Sequence, residues 1–302
     1  MADRGLAVYA AAYPAARPYL GAWAASLRAQ TDRDFDVWVT ADGLDPEALK
    51  RTLDLDRAHV VETPAGATQT PGQLRALAME QLVDRYDAVV FVDVDDVLEP
   101  SRVAAARQAL GQWDVTGCRL RIMDESGGDL GVVFGPIEGE DPCAYLPRWN
   151  VFGLSNTAYR TSALRECLPI PADCILVDWL LASRAWVRGK RIGFDLEPRM
   201  RYRQYARNTA HVLGPSTAAG VRRATELVTA YYRQLLAPAP VGDPSRLAEL
   251  HRAKASIERF ERWSASSEEG MRTYVERLNA MQRRYLWWWS VAHPDLEELW
   301  RA

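Results

Sequence analysis

The sequence predicts an α/β fold with a mostly parallel, Rossmann-like central sheet flanked by helices, followed by an α-helical C-terminal extension. Apolar strand-like runs alternate with helical patterns in the first hundred residues, and after residue 215 only helical patterns occur. Alternation of this kind is typical of right-handed β-α-β crossovers. We therefore expect one α/β domain over residues 1–215, with halves at 1–100 and 101–215, and a helical extension over 216–302.

The strands and helices of the first half follow from hydrophobic periodicity. Apolar runs predict strands at 6–12, 35–40, 59–61 and 88–92. Segments with apolar residues at helical spacing predict helices at 18–30, from Asp45 onward, and at 73–85. The strand at 88–92 is apolar throughout, which is typical of a central strand covered on both faces.

Composition excludes several classes of protein. The chain has 302 residues, of which 48% are hydrophobic and 25% charged, close to the average of globular proteins. The net charge of -3 gives no basic excess, so we expect no nucleic-acid partner. No apolar run reaches the roughly 18 residues of a membrane span, and no signal-peptide pattern opens the chain. The four cysteines form no C-x-x-C pair, so we expect a cytoplasmic protein with reduced thiols.

An acidic cluster follows the last of these strands. Asp93, Asp95 and Asp96 lie within four residues, where open α/β sheets bind their ligands. Carboxylates this close repel one another, and a divalent cation such as Mg²⁺ or Mn²⁺ would neutralise them. The cluster therefore predicts a metal site, with a solvated helix-capping cluster as the alternative.

Two further aspartates are candidates for chemistry. Asp178 has only apolar near neighbours, and an isolated charge there is costly unless it is paired or functional. Desolvation would raise its pKa, as a general base requires. The alternative is a paired or capping aspartate. Asp42, at the end of the second strand, fits a ligand contact and a turn residue equally well.

Four stretches together resemble the inverting glycosyltransferases of family 2, which have the GT-A fold. The first, at 26–45, reads SLRAQTDRDFDVWVTADGLD, and the second runs from Arg75 to Asp96. The third covers 150–168, and the fourth, at 177–210, begins VDWLLASRAWVRGKRIGFDLEPRMRYRQ. Each stretch is weak alone, but all four occur in the family's order.

The resemblance implies a role for each matching residue. It makes residues 1–100 the nucleotide-sugar half and 101–215 the acceptor half. Asp178 matches the catalytic base, and Asp95 and Asp96 match acids that contact the ribose and the metal. Three further contacts to the donor are implied. Asp42 would contact the nucleobase, Arg75 the phosphate and Arg203 the leaving group.

Two positions depart from the family pattern. Val177 stands where the family has a glutamate before the base, and Tyr205 stands where it has a histidine. His211 is the residue that could substitute for that histidine as a metal ligand.

The function implied is transfer of a sugar from a nucleoside-diphosphate sugar, with a UDP-sugar as the expected donor, to a hydroxyl of a glycan or small-molecule acceptor. The reaction would depend on a divalent metal and invert the anomeric carbon. One alternative is a catalytically inactive binding module of the same fold. Another is a phosphatase of the haloacid-dehalogenase type with Asp93 as nucleophile, which is disfavoured because strands precede the motif and no later G-D-x-x-x-D occurs.

The extension has its own pattern. We predict helices at 221–236, 245–263 and 268–289, and a short turn from His293. The tryptophans at 287–289 are of a residue type that suits a membrane interface, so the extension would make peripheral membrane contact through them. Packing onto the α/β domain, or onto a second subunit in a homodimer, is favoured because neighbouring glutamates would be repelled by anionic lipid.

Overall fold

The computed structural model describes residues 5–62, 70–206, 208–237 and 241–301. Its strands are β1 (Leu6–Ala12), β2 (Asp36–Ala41), β3 (Ala58–Glu62), β4 (Ala88–Phe91), β5 (Val97–Leu98), β6 (Val115–Met123), β7 (Asp129–Phe134), β8 (Thr157–Arg160) and β9 (Ile192–Arg203). Its α-helices are α1 (Leu20–Arg28), α2 (Pro46–Leu53), α3 (Pro71–Arg85), α4 (Arg102–Leu110), α5 (Thr161–Cys167), α6 (Val177–Val187), α7 (Ala218–Leu235), α8 (Pro244–Ser266) and α9 (Glu268–Ala280). Short 3-10 helices lie at Pro14–Tyr19, Pro142–Tyr145, Leu154–Asn156 and Pro294–Leu299.

The first half of the sheet has the predicted parallel arrangement. Its strands run in the order β3-β2-β1-β4, and each pairs with its neighbour in parallel. The helices between them begin at identifiable caps: the Asp45 side chain caps α2, and Thr70 forms a capping box with Gln73 at α3. Because all four strands point the same way, the residues that follow β2 and β4 meet at one edge of the sheet.

The second half of the sheet is mixed. β8 runs antiparallel to β4 and to β6, whereas β6 and β9 are parallel. The antiparallel pairing of β8 brings the residues just before it to the end of β4. β9 ends at Arg203 beside β5, which follows the acidic cluster. Three chain segments therefore converge where Asp93 leaves β4.

The helical extension packs on α6. The Trp179 ring of α6 stacks on Tyr231 of α7 at 4.1 Å between centroids, nearly parallel at 12°. The hydroxyls of Ser183 and Tyr231 are hydrogen-bonded at 2.6 Å, and the Tyr232 hydroxyl donates to the carbonyl of Pro147. The extension thus covers the apolar face of α6 from behind.

The predicted helix at 268–289 is wrong in its second half. α9 ends at Ala280, and Trp287 instead exchanges backbone hydrogen bonds with Asn150 of the α/β domain. The Trp287 ring lies 4.2 Å from that of Phe134, and a Cβ on Gly153 would come within 2.4 Å of the indole. The chain after Ala280 leaves the helix so that this indole packs into the domain, although the hydrophobic periodicity predicted that the helix continues.

Trp287, Trp288 and Trp289 are buried, with 5%, 9% and 6% of their surface exposed. Trp287 therefore packs onto the α/β domain, one of the two arrangements favoured from the sequence, and peripheral membrane contact stays a prediction. Within the described ranges, no helix combines the length and apolar character needed to cross a membrane. All four cysteines are free thiols, as predicted. The cytoplasmic location and the homodimer stay predictions.

We predict that Trp287→Ala lowers the free energy of unfolding by about 3–5 kcal/mol, because it leaves a cavity between Phe134 and Gly153. Chemical denaturation followed by circular dichroism measures the change. Leu130→Ala is the control, since Leu130 is 43% exposed and its loss should cost less than about 1 kcal/mol. Equal effects of the two substitutions would contradict the packing described for Trp287.

Candidate functional site

A cleft of about 190 Å³ opens where the parallel strands end. Its charged lining residues are Arg75, Asp93, Asp95 and Asp178. They come from α3, from the loop after β4 and from the first turn of α6. The structure therefore brings together four of the residues that the sequence singled out, from positions up to about a hundred residues apart.

Asp178 is half-buried, with its open side toward the cleft. The side-chain amide of Asn150 donates a hydrogen bond to its Oδ2 at 3.0 Å. Asn150 is itself fixed, because its Oδ1 accepts from the amide of Phe152 at 2.9 Å. The position in the first turn of α6 also favours a negative charge.

The surroundings of Asp178 set its pKa near neutrality. The pKa is raised to about 6, and burial is the main cause. The backbone amide of Trp179 and the positive charge of Arg75 act in the opposite direction and lower it. The negative charge of Asp93 raises it further. A carboxyl with such a pKa is ionised at pH 7 and is basic enough to accept a proton from a hydroxyl in a transition state.

Arg75 interacts with both the acidic loop and Asp178. Its guanidinium donates to Asp93 Oδ1 at 2.9 Å. Burial disfavours its charge, but Asp93, Tyr9 and Asp178 raise its pKa above the ordinary value. Arg75 is thus a fixed positive charge between carboxylates that would otherwise repel one another.

Asp95 lies on the wall of the cleft. The Tyr205 hydroxyl donates to its Oδ2 at 2.7 Å, and Arg203 Nε donates to its carbonyl at 2.7 Å. Burial raises the pKa of Asp95, as does the negative charge of Asp93. The carboxylate is therefore held in place near a second negative group, Asp93, that lines the same cleft.

Asp96 points into the protein and does not line the cleft. The Arg203 amide donates to its Oδ1 at 2.7 Å, and the Ser155 hydroxyl donates to its Oδ2. Burial raises its pKa well above the ordinary value, and the charges of Asp95 and Asp93 add to the effect. Asp96 therefore joins β9 and the 3-10 helix at 154–156 to the acidic loop.

The carboxylates at the cleft fit a divalent cation that takes only one or two of its ligands from the protein. Among the described residues, no three histidines, cysteines or acids are grouped to hold a metal ion. Mg²⁺ is commonly held by one or two carboxylates together with substrate phosphates. Asp93 and Asp95 provide two carboxylates, and the negative charge of Asp93 raises the pKa of Asp95; a cation held by both would relieve this repulsion.

Four predicted site residues lie away from the cleft lining: Asp96, which was expected as a metal ligand and instead points into the protein, and His211, Asp42 and Arg203. His211 is exposed and lines a neighbouring cavity. Asp42 is half-buried at the end of β2, on the far side of β1 from the acids. Arg203 is buried, with its guanidinium over the Tyr19 ring at 4.6 Å and donating to the carbonyls of Asp124 and Glu125.

Three residues that hold the site carry little signal in the sequence. Asn150 contacts Asp178, Ser155 contacts two acids of the cluster, and Tyr205 contacts Asp95. The one signal for Tyr205 is that it stands where the family has a histidine. Its bond to Asp95 joins residues 110 positions apart, which no local pattern encodes.

Comparison with known proteins establishes the fold. No family model and no curated protein matches the chain. The solved structure of S. aureus TarS 1–349 with UDP-GlcNAc is similar, with a TM-score of 0.61 and 16% identity over 98% of this chain and 81% of that one. The mannosyltransferase PcManGT from Pyrobaculum calidifontis, with GDP-Man and Mn²⁺, gives 0.59 and 15% over 92% and 76%. A longer TarS structure gives 0.56 and 17%, and the chain covers only 43% of its length. The predicted GT-A fold is therefore confirmed.

We predict that Asn150→Ala raises the pKa of Asp178 by roughly one unit, because the variant removes a donor that favours the carboxylate. NMR of ¹³C-labelled aspartate carboxyls measures the titration, and Asp178→Asn assigns the resonance. Asn279→Ala, which removes an amide bonded to Ser216 on the extension, should leave the titration near pH 6. An unchanged or lowered pKa in Asn150→Ala would contradict the contact.

Proposed function

We propose that this protein is an inverting glycosyltransferase that moves a sugar from a nucleoside-diphosphate sugar to an acceptor hydroxyl, with Asp178 as the general base. The observation that carries the proposal is the position of Asp178, with a pKa near 6, in the same cleft as Asp93 and Asp95. The structures of the same fold hold UDP-GlcNAc in TarS and GDP-Man with Mn²⁺ in PcManGT. By likeness to them and to the family 2 pattern, the donor here is a nucleotide sugar.

Asp178 accepts the proton of the acceptor hydroxyl as its oxygen attacks the anomeric carbon. The C–O bond to the diphosphate breaks on the opposite face, so the configuration inverts and the diphosphate leaves with the bonding electrons. Asn150 orients the carboxylate so that Oδ1 is left for the incoming hydroxyl. Arg75 stabilises the ionised form before the reaction.

The donor end of the cleft is assigned to Asp95 and Asp93. These two carboxylates would hold the Mg²⁺ or Mn²⁺ ion, which supplies Lewis-acid stabilisation of the leaving diphosphate when bound. Asp96 was expected as a metal ligand and Arg203 as a leaving-group contact; we assign both instead as positioning residues, because their polar atoms hold the acidic loop. Asp42 lies one strand beyond, where the family pattern has the nucleobase contact, and the expected base is uracil.

The contacts of the same site argue against the two alternative functions, a phosphatase and an inactive binding module. A phosphatase would need Asp93 as a free nucleophile, yet its carboxylate is bonded to Arg75 and to Ser155. An inactive binding module would keep nucleotide affinity without transfer. Such a module would have no use for a half-buried Asp178 whose pKa is raised to about 6.

We predict that Asp178→Asn lowers the rate of sugar transfer by about 10²–10⁴-fold while nucleotide affinity is retained. The wild-type protein is first screened for turnover of UDP-, GDP- and dTDP-sugars, and calorimetry with the nucleotides, with and without Mn²⁺, measures binding. Asp173→Asn is the matched control, since Asp173 is an exposed carboxyl just before α6. Transfer by Asp178→Asn within tenfold of wild type, or no nucleotide bound by wild type, would contradict the proposal.

The raised pKa of Asp178 predicts opposite effects of pH on activity and stability. The rate should rise as pH increases through about 6, because only the ionised carboxylate accepts a proton. Its folded pKa lies above the ordinary value of 3.8, so its contribution to stability is lost as pH rises from about 4 to 6. Asp178→Asn should therefore have a higher Tm than wild type at pH 8, and the difference should shrink or reverse at pH 4. Calorimetric scans at both pH values measure it, and a lower Tm at pH 8 would contradict the cost of burying this charge.

A further inference from the structure

A second cavity lies beside the cleft. It has a volume of about 460 Å³ and is bounded by the chain after β9, by α7 and by residues 283–290 of the extension. The two cavities share part of their walls, namely Asn208, Thr209, Ala210 and Trp288. A molecule seated in the second cavity therefore lies directly beside the space that Asp178 faces.

The charged lining of this cavity is entirely basic among the described residues. It consists of Arg223, Arg283, Arg284 and His211, with no aspartate or glutamate. Arg223 is exposed on α7, and no described carboxylate lies within ion-pair distance of it. The Arg284 guanidinium is paired with Glu140 through contacts of 3.5 Å. Arg223 and Arg283 thus place positive charge at this cavity without a described acid paired to either of them.

Arg283 is the most constrained of the three arginines. Its guanidinium donates to the carbonyl of Gly214, and within the described part of the chain it forms no ion pair with an acid. Partial burial lowers its pKa, with Tyr285 acting weakly in the opposite direction. A partly desolvated cation without a carboxylate partner is stabilised by an anionic ligand.

The lining also includes apolar and aromatic side chains. Among them are Trp288 and Trp289 of the extension, Leu213 of the loop after β9 and Leu227 of α7. Cavities that combine a broad apolar wall with a few fixed polar groups are typical of small-molecule sites. The arginines would orient the ligand, while the indoles would contact its uncharged part.

We propose that this cavity is an acceptor subsite that binds an acceptor carrying a phosphate or other oxyanion, with Arg223 and Arg283 as its anion contacts. The term acceptor rests on the proposed function, because it takes Asp178 as the base. The hydroxyl to be glycosylated would reach past Trp288 into the cleft, while the anionic group stays between the arginines. Guanidinium groups suit this task since they bind phosphate oxygens in a bidentate manner.

The test uses phenyl phosphate as the probe and benzyl alcohol as its uncharged counterpart, both titrated into the full chain by calorimetry. Wild type should bind phenyl phosphate and not benzyl alcohol. Arg223→Ala and Arg283→Ala should each weaken phenyl phosphate binding by roughly tenfold. Arg272→Ala is the matched control, because Arg272 is an exposed helical arginine on α9 outside the cavity lining, and it should bind as wild type does.

UDP with Mn²⁺ distinguishes this subsite from the donor site. Its affinity should be the same for wild type and Arg223→Ala. A tenfold loss of UDP affinity in Arg223→Ala would assign the arginines to the donor diphosphate and overturn the acceptor subsite. Equal phenyl phosphate affinity in wild type and in both arginine variants, or no binding at all, would overturn the anion site. Should wild type bind phenyl phosphate but no nucleotide, the proposed function fails while the anion site stands.

Discussion

The cost of burying several carboxylates around one cleft is the constraint on which the rest of this structure depends. Burial raises the pKa of Asp95, Asp96 and Asp178 alike, and a buried charge persists only where donors surround it. Those donors come from different parts of the chain: Tyr205 bonds Asp95, and Asn150 bonds Asp178. The site therefore exists only when the sheet, α6 and the chain after β9 are assembled together.

The C-terminal extension contributes to the same arrangement. Tyr231 stacks on Trp179, the residue that follows Asp178, so the first turn of α6 is held from behind. On the other side, the backbone of Trp287 pairs with that of Asn150, which donates a hydrogen bond to Asp178. Residues more than fifty positions beyond Asp178 thus fix both its helix and its hydrogen-bond donor, which makes the extension part of the site rather than an appendage.

The first half of the fold was predictable because its signals are local. Apolar runs and helix caps defined β1 to β4 and the helices between them, and the acidic cluster at the end of β4 marked the site. Orientation was not predictable in the same way. Asp95 and Asp96 are adjacent and chemically identical, yet Asp96 turns inward, where its Oδ1 accepts a hydrogen bond from the Arg203 amide, 107 residues later in the chain. The end of α9 was missed for a related reason, since periodicity continues past Ala280 while burial of Trp287 requires the chain to leave the helix.

The central claim is that Asp178 directs a hydroxyl to the face of the anomeric carbon opposite the departing diphosphate. The anomeric configuration of the product, read from its ¹H coupling constants by NMR, tests this claim most directly. With an α-linked nucleotide sugar as donor, the account predicts a β-linked product. An α-linked product would require the new bond to form on the face that the diphosphate leaves, which contradicts a single displacement assisted by Asp178.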